Sequence, residues 1–304
     1  MSDRRSVRVG RRTVEVSNPG KVLYPDDGIT KADLVDYYRR VARFMLPHLR
    51  GRPVAMERFP DGIGGQRIFQ KDVPDHFPGW IDRVEVAKQG GSLRQVVCEE
   101  AATLAYLANQ ACITPHVFPS RGDRLDRPDQ LIFDLDPSGD DFGDARAAAL
   151  WLRSLLEELE LPSFPKTTVG KGLHLTVPLD RRADFDTVRA FARDVAGELV
   201  RRHPERLTVE QRKRQRGGRL YVDVMRNGYA QTAVPPYAVR ARPGAPVATP
   251  LDWSEVEQPS LRPSRFTIAS VFERLDGPDP WQDLRRRGRS LARARGRLER
   301  LAKA

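Results

Sequence analysis

Apolar residues recur at three- and four-residue steps in four stretches of the chain, and this spacing predicts amphipathic helices. The clearest stretch covers 31–47, where Thr30 and Asp33 form a capping-box signature just before the apolar stripe. The other predicted helices cover 97–110, 143–160 and 184–202. Short β-type runs between them predict strands at 131–133, 173–177, 220–224 and 234–239. Because the two kinds of element mix without regular βαβ alternation, the sequence predicts an α+β fold.

Composition narrows the class of protein. The chain has 304 residues, of which 39% are hydrophobic, and this is enough to fill the core of one large or two ordinary domains. No apolar stretch approaches the roughly 20 residues that a membrane helix needs, and the Arg-rich start lacks the apolar region of a secretory signal. We therefore expect a cytoplasmic protein with no membrane partner, in which Cys98 and Cys112 are buried free thiols.

The positive charge is concentrated at the two ends of a chain whose net charge is +11. Residues 284–304 carry nine Lys or Arg and one Glu, and residues 1–12 carry five Arg and one Asp. We expect a basic N-terminal tail over 1–12, one compact unit over 13–283, and a basic C-terminal helix over 284–304. Three leucines of the last segment repeat every seven residues: Leu284, Leu291 and Leu298. The sequence leaves open whether this helix docks on the body, contacts nucleic acid, leads to a neighbouring domain or is simply solvated.

Two acidic side chains end a strand of buried type. Asp134 and Asp136 are two residues apart before Pro137, so they point to the same face of the strand. Two carboxylates this close repel unless a cation lies between them, which makes the pair a candidate Mg²⁺ or Mn²⁺ site. Solvated acids at a strand end, or a turn cap, explain the same pattern about equally well. Asp223 adds a third acid if its strand, 220–224, neighbours the first, and such a cluster suits two-metal nucleotidyl transfer.

A basic loop lies between these acids. Lys171 is flanked by glycines, and Thr168 and His174 offer further donors, so the loop can approach phosphates. It lacks Walker A spacing, and an ordinary hairpin would have a similar sequence. Further along, Arg240 and Arg242 end a predicted strand with two guanidinium groups that suit phosphate oxygens.

Taken in order, these motifs resemble the polymerase domain of the bacterial end-joining ligase LigD, a branch of the archaeo-eukaryotic primase superfamily. The resemblance covers roughly residues 14–270 and rests on the following segments: Asn18-Pro19-Gly20-Lys21-Val22-Leu23-Tyr24-Pro25, Gly51-Arg52-Pro53, Phe133-Asp134-Leu135-Asp136-Pro137, Gly170-Lys171-Gly172-Leu173-His174, Val222-Asp223 followed by Arg226-Asn227, and 233–250. It implies a primase-polymerase catalytic core with mixed or antiparallel sheets flanked by helices.

The resemblance also implies roles for individual residues. The catalytic, metal-binding triad would be Asp134, Asp136 and Asp223, holding two Mn²⁺ or Mg²⁺ ions. The incoming NTP or dNTP would contact His116, Thr168, Lys171, His174 and Arg240. The 5′-phosphate of a DNA gap would be bound by Asn18, Lys21 and Lys31, and Phe69 would stack near the template.

The implied activity is template-directed extension of primer 3′ ends at DNA breaks or gaps in non-homologous end joining, with a preference for ribonucleotides. The implied partners are DNA with gapped or broken ends, Ku and a separate DNA ligase, and the implied location is the bacterial cytoplasm near the nucleoid. No ligase lysine motif of the form KxDG occurs in the 304 residues, so ligation is not expected.

Two positions depart from the family pattern. Thr168-Val169 stands where the family usually has Ser-Gly, and Val169 adds bulk and loses the conformational freedom of glycine. Ile68 stands where the family often has a second aromatic residue beside Phe69, which weakens stacking on the template. These departures concern nucleotide affinity and template stacking respectively.

Two other classes of protein fit part of the pattern. Haloacid-dehalogenase-type phosphatases also carry a DxD after a strand, but near the N-terminus and with a later acidic motif that this sequence lacks. In that class Asp134 would form a stable aspartyl-phosphate, which a polymerase never forms. A non-catalytic DNA-end binder could use Lys21, Lys31 and the basic ends, but it would need no acid triad.

Overall fold

The elements of secondary structure are taken from a computed structural model that describes residues 3–168, 170–301 and 303. The helices are α1 (Lys31–Leu49), α2 (Ala101–Asn109), α3 (Phe142–Glu158), α4 (Phe185–Arg202), α5 (Trp253–Glu257), α6 (Val271–Arg274) and α7 (Leu291–Leu301). The strands are β1 (Arg4–Val9), β2 (Arg12–Ser17), β3 (Val22–Tyr24), β4 (Ile29–Thr30), β5 (Pro53–Arg58), β6 (Ile68–Gln70), β7 (Arg83–Lys88), β8 (Gly91–Val97), β9 (Cys112–Val117), β10 (Ser120–Arg121), β11 (Arg124–Pro128), β12 (Gln130–Asp136), β13 (Phe164–Thr167), β14 (Leu173–Pro178), β15 (Leu207–Thr208) and β16 (Leu220–Asp223).

Contacts within the chain divide it into two compact units. The first unit comprises Met1–Asp123, Thr232–Ala248 and Phe266–Gly277. The second unit comprises Arg124–Gln231, Thr249–Arg265 and Pro278–Ala304. The expectation that residues 13–283 form one compact unit stays a prediction.

The second unit is built on a five-stranded sheet with the order β13-β14-β12-β16-β15. Its pairings are antiparallel except for the parallel pair β15 and β16. The central strand β12 buries Leu131, Phe133 and Leu135, and α3 and α4 pack against it. This packing leaves Asp134 and Asp136 on the opposite face of the strand, as the alternation in the sequence predicts.

The first unit contains a five-stranded antiparallel sheet in which β5 is central and pairs with β6, β8 and β9. Helix α1 begins at the predicted capping box, where the Thr30 side chain accepts from the Asp33 backbone N–H and the Asp33 side chain accepts from the Thr30 backbone. Its apolar stripe is buried, with Leu34, Tyr38 and Met45 at 1% exposure or less. The cap and the stripe together explain why this helix starts and packs where it does.

Three of the predicted helices match the structure closely, and the fourth needs a correction. The prediction at 97–110 begins too early, because Val97 ends strand β8 and α2 starts at Ala101. The predicted strand at 234–239 is wrong, since this segment contains only an isolated bridge between Val239 and Val247. Pro235 and Pro236 lack the N–H groups that a strand needs to pair, which accounts for the difference.

Both ends of the chain are more structured than their charge suggests. Residues 4–9, expected to belong to a basic tail, form β1 and pair with β2 in a hairpin. Alternation explains this pairing, because Val9, Val14 and Val16 are buried while the arginines face solvent. At the other end α7 begins only at Leu291, and Leu284 lies in a short 3₁₀ turn.

The mixed helices and largely antiparallel sheets confirm the α+β class. Within the described part of the chain, no helix is long and apolar enough to cross a membrane.

Candidate active site

Strand pairing brings the two acidic motifs together. Asp134 on β12 lies directly opposite Asp223 on β16, and on its other side it lies opposite His174 on β14. Directly opposite residues of paired strands share a face, with Cβ atoms about 4.5–5.5 Å apart. Asp136, two residues further along β12, belongs to the same face. The three acids predicted from the sequence therefore meet on one face of one sheet.

Asp134 is held by cationic and hydrogen-bonding neighbours. Its Oδ2 lies 3.2 Å from His174 Nε2 and 3.5 Å from an Arg226 guanidinium nitrogen. Burial by itself would raise the pKa of Asp134, but His174, Arg226 and Lys166 outweigh burial and lower this pKa to about 2. Asp134 is therefore a carboxylate at neutral pH, as a metal ligand must be.

His174 is buried between Asp134 and Lys166. Lys166 Nζ lies 3.4 Å from His174 Nδ1, and the pair sits in register on β13 and β14. Burial, followed by the charge of Lys166, lowers the pKa of His174 to about 4. The imidazole is neutral at pH 7, so its Nε2–H donates to Asp134 while Nδ1 accepts from Lys166. Lys166, His174, Asp134 and Asp223 form a continuous row across four strands.

Asp223 and Asp136 differ in their surroundings. Asp223 Oδ1 accepts from the Met225 backbone N–H at 2.7 Å and from the Tyr221 hydroxyl at 3.3 Å. Burial, together with the charge of Asp134, nevertheless raises the pKa of Asp223. Asp136 is half exposed, and its Oδ2 lies 3.1 Å from an Arg216 guanidinium nitrogen. A second negative charge beside Asp134 is thus unfavourable in the protein alone.

The acid face fits a divalent cation by donor type. Mg²⁺ and Mn²⁺ prefer oxygen ligands, and the three acids of this face supply carboxylate oxygens. The side chains are not arranged around a common point: within 3–168, 170–301 and 303, no group of three or more His, Cys, Asp or Glu could hold a metal ion. The arginine contacts at Asp134 and Asp136 explain this, since Arg226 and Arg216 supply the positive charge.

The loop before β14 carries two further predicted residues. Thr168 Oγ1 donates to the Gly172 carbonyl at 3.0 Å, which closes the loop. Lys171 forms an ion pair with Asp140 at the surface. Gly172 is required by close packing, because a Cβ there would lie 2.2 Å from the Leu135 carbonyl oxygen. Val169, where the sequence departs from the family, lies outside the described residues.

The other predicted nucleotide contacts, His116 and Arg240, belong to the first unit. They meet at Glu57, a buried acid on β5 that the sequence does not single out. Glu57 Oε2 lies 2.9 Å from His116 Nε2 and 3.9 Å from an Arg240 nitrogen, and Oε1 lies 2.6 Å from Arg67 Nε. Burial by itself would raise the pKa of Glu57, but His116, Arg240 and Arg67 outweigh burial and lower this pKa to about 2.

Phe69 joins the same cluster in the first unit. It lies opposite Glu57 on strand β6, and its ring packs edge-on against His116 with centroids 5.2 Å apart. Phe69 is 40% exposed and Ile68 is 37% exposed, so both present apolar surface to solvent. An aromatic face in that position is available for stacking on a base. The one signal for Glu57 in the sequence is an acid inside the apolar run of β5.

Asn18, Lys21 and Lys31 are neighbours in the first unit. The Lys21 backbone N–H donates to the Asn18 carbonyl, and the Lys31 backbone N–H donates to the Lys21 carbonyl. Lys31 is buried and its ammonium donates to the Ser17 carbonyl at 2.7 Å, and burial followed by the charge of Lys21 lowers its pKa. The Lys21 ammonium lies 2.8 Å from Asp61.

Comparisons with known proteins identify the family. A family model described as the LigD primase-polymerase domain matches residues 30–281. The multifunctional non-homologous end joining protein LigD of Mycolicibacterium smegmatis is 35% identical over 266 residues, which are 86% of this chain and 35% of that protein. The bifunctional non-homologous end joining protein LigD of Bacillus subtilis is 35% identical over 257 residues, which are 84% of this chain and 41% of that protein.

The fold is also similar to a solved structure of the polymerase domain from Mycobacterium tuberculosis ligase D in complex with DNA. The TM-score is 0.84 at 32% sequence identity, and the match covers 91% of this chain and 99% of that one. This match confirms the primase-polymerase fold that the resemblance implies. The chain spans 35% and 41% of the length of the two curated relatives named above.

Proposed function

The chain belongs to the LigD primase-polymerase domain family, and from that premise we propose that it is a nucleotidyltransferase that extends primer 3′ ends at DNA breaks or gaps. The reaction joins a nucleoside monophosphate unit to the primer 3′-OH and releases pyrophosphate, and it is template-directed. The substrates are NTPs or dNTPs, with ribonucleotides preferred. The proposed setting is non-homologous end joining, with Ku and a DNA ligase as partners and ligation left to that ligase.

The observation that carries this proposal is the pairing of Asp134 with Asp223 across β12 and β16. With Asp136 they provide the carboxylates that would hold two Mn²⁺ or Mg²⁺ ions. Bound there, the ions would lower the pKa of the primer hydroxyl and neutralise charge on the leaving pyrophosphate. With the ions bound, Asp134 would give up its contact with Arg226, whose partly exposed guanidinium would then be available to phosphate oxygens. Arg216 would remain bonded to the Glu210 and Gln211 carbonyls.

The neighbouring side chains bind and orient the nucleotide. His174 is neutral and fixed by Lys166 and Asp134, so it keeps Asp134 ionised and correctly turned. Thr168 and Lys171 offer a hydroxyl and an ammonium to the triphosphate from the loop before β14. In the first unit His116 and Arg240 contact the nucleotide, and Glu57 is a positioning residue that holds both side chains.

The downstream edge of a gap is bound through its 5′-phosphate by Asn18, Lys21 and Lys31. A phosphate would compete with Asp61 for the Lys21 ammonium, and this charge-assisted contact weakens as ionic strength rises. Phe69 stacks near the template base.

Asp136→Ala tests the proposal. Primer extension on a gapped duplex should be abolished, because the half-exposed Asp136 carboxylate would ligate metal, while binding to the same DNA in a gel shift should remain. Glu205→Gln, which changes an exposed acid of the second unit, should extend normally. Extension by Asp136→Ala at the wild-type rate would show that the acid face is not the active site.

A further inference from the structure

The basic C-terminal segment is part of the folded second unit. Leu291, Ala294 and Leu298 are buried at 5% exposure or less, and α7 packs against α4. The Arg295 guanidinium donates to the Thr187 carbonyl at 3.5 Å on α4, and Arg297 pairs with Glu160 at 2.6 Å. The segment is therefore a docked element with a fixed outer face.

The chain leading into α7 is also fixed. The Arg289 backbone N–H donates to the Pro178 carbonyl at 3.0 Å, and the Asp180 N–H donates to the Arg289 carbonyl at 3.1 Å. Leu284, in the 3₁₀ turn before this bridge, is buried at 3% exposure. The arginines of this stretch thus project from a backbone that is bonded to β14 and its end.

Six arginines of this segment are exposed. Arg287 pairs with Asp283, and we call the other five the C-terminal arginine surface: Arg285, Arg286, Arg289, Arg293 and Arg300. Arg293 and Arg300 are seven residues apart, so they lie on one side of α7, opposite the buried Leu291 and Leu298. Along the helix axis they are separated by about 10 Å.

These arginines have no carboxylate partners among residues 3–168, 170–301 and 303. The acids nearby in the chain already pair with other arginines: Asp283 with Arg287, Asp180 with Arg182 and Glu160 with Arg297. Within 284–304 the sequence holds one acid, Glu299, against nine basic residues. The positive charge of these five side chains is therefore not neutralised by a carboxylate within the described residues, and it is carried by the 3₁₀ turn, the following segment and α7.

The chemistry of the surface favours a nucleic-acid backbone as the ligand. Among the described residues of 284–301 there is no exposed large hydrophobic side chain, so an apolar anchor for a protein partner and a platform for stacked bases are both lacking there. What remains is an array of guanidiniums, which bind phosphate oxygens without reading sequence. Helix α7, with 11 residues, is about 16 Å long and can follow about five base-pair steps of duplex.

We propose that the C-terminal arginine surface binds the phosphate backbone of duplex DNA, as a contact separate from the acid face and from the 5′-phosphate pocket. The inference rests on the proposed DNA substrate. The surface lies outside residues 30–281, which the family model matches. The contact is independent of sequence and adds affinity for the duplex beside a break.

The test measures how the affinity of the full chain for a blunt, unphosphorylated duplex depends on salt, by fluorescence anisotropy. Arg293→Gln with Arg300→Gln should reduce the slope of log K against log salt by up to about 1.8, and should weaken binding roughly tenfold or more near 0.1 M salt. Arg285→Gln with Arg286→Gln tests the other part of the surface and should act in the same direction. Thermal unfolding should be unchanged, because the four side chains are exposed and unpaired.

A control pair of substitutions separates the effect of the C-terminal arginine surface on the slope from the effect of net charge. Arg39→Gln with Arg43→Gln removes two exposed charges from α1, where Arg39 pairs with Asp36, and should leave the slope near that of the wild type. Asp136→Ala should also keep the slope, so a failed active-site assignment and a failed arginine surface give different results. An unchanged slope in both C-terminal variants, or an equal loss in the α1 control, would overturn the proposal. Loss of polyglutamate binding with duplex binding intact would assign the surface to an acidic protein instead.

Discussion

Glu57 is a buried acid surrounded by positive and hydrogen-bonding groups from three other parts of the first unit. Its pKa is lowered from an ordinary value of 4.5 to about 2, so its ionisation stabilises the folded state above pH 4.5. This stabilisation is lost as the pH falls from 4.5 through 2, because Glu57 binds a proton in the unfolded chain at pH values where it is still ionised in the folded chain.

We therefore expect the wild type to lose roughly 1 kcal/mol more unfolding free energy than Glu57→Gln between about pH 6 and pH 3.5. Urea unfolding of both proteins at the two pH values measures the difference. A variant whose stability falls as steeply as that of the wild type would remove Glu57 from the acid response. At neutral pH the variant should also raise the KM for the nucleotide more than it lowers kcat, since His116 and Arg240 lose a common anchor.

At the same scale, the residues that sequence reasoning can find are those with a local signature. Asp134 and Asp136 alternate at a strand end, and Asp223 interrupts an apolar run. Glu57 also interrupts an apolar run, but its importance depends on His116, Arg67 and Arg240, whose approach no local pattern reveals. Arg226 belongs to one of the sequence motifs, but neither its contact with Asp134 nor that of Arg216 with Asp136 has a local signature.

Among the elements, the turn into β14 depends most directly on one residue. A methyl group at position 172 would meet the Leu135 carbonyl oxygen at 2.2 Å, whereas at position 170 the nearest atom is Thr168 Oγ1 at 4.0 Å. Leu135 lies between Asp134 and Asp136, so a displaced carbonyl at Leu135 also moves the acids. Gly172→Ala should cost about 1–3 kcal/mol of unfolding free energy and should reduce primer extension, while Gly170→Ala should leave the unfolding free energy unchanged. Chemical denaturation and extension assays on the pair check this, and equal behaviour of the two variants would contradict it.

The helices were easier to predict than the strands. Amphipathic stripes and caps are local, and α1, α3 and α4 were found within two residues at each end. Strands β5 to β9 were not predicted. Strand β5 pairs with β8 and β9, which are distant in sequence, and the hairpin strands β7 and β8 are unevenly buried and lack a regular alternation. The pairing of β12 with β16 also joins segments distant in sequence. The sequence therefore predicts that Asp223 joins Asp134 only if their strands are neighbours.

For the molecule as a whole, the family followed from the order of motifs along the chain, and the α+β class followed from the mixture of predicted helices and strands. The behaviour of the two ends did not, because net charge describes solubility and association and not folding. The buried Val9, Val14 and Val16 stabilise a hairpin where a tail was expected. The buried Leu291 and Leu298 belong to the C-terminal helix, which packs against α4. The division of the described residues into two units likewise rests on contacts between segments far apart in sequence, such as Thr232–Ala248 with the N-terminal part.

The most direct measurement of the central claim is single-turnover incorporation of a ribonucleotide by Asp223→Asn on a 5′-phosphorylated gapped duplex in Mn²⁺. The substitution keeps the side-chain shape, and Asp186→Asn on the exposed first turn of α4 provides the matched control. If Asp134 and Asp223 form one metal-binding face, Asp223→Asn loses at least about a hundredfold in rate while the control is unaffected. Incorporation by Asp223→Asn within about threefold of the wild-type rate would contradict that claim, because a lost metal ligand costs several kcal/mol of transition-state stabilisation.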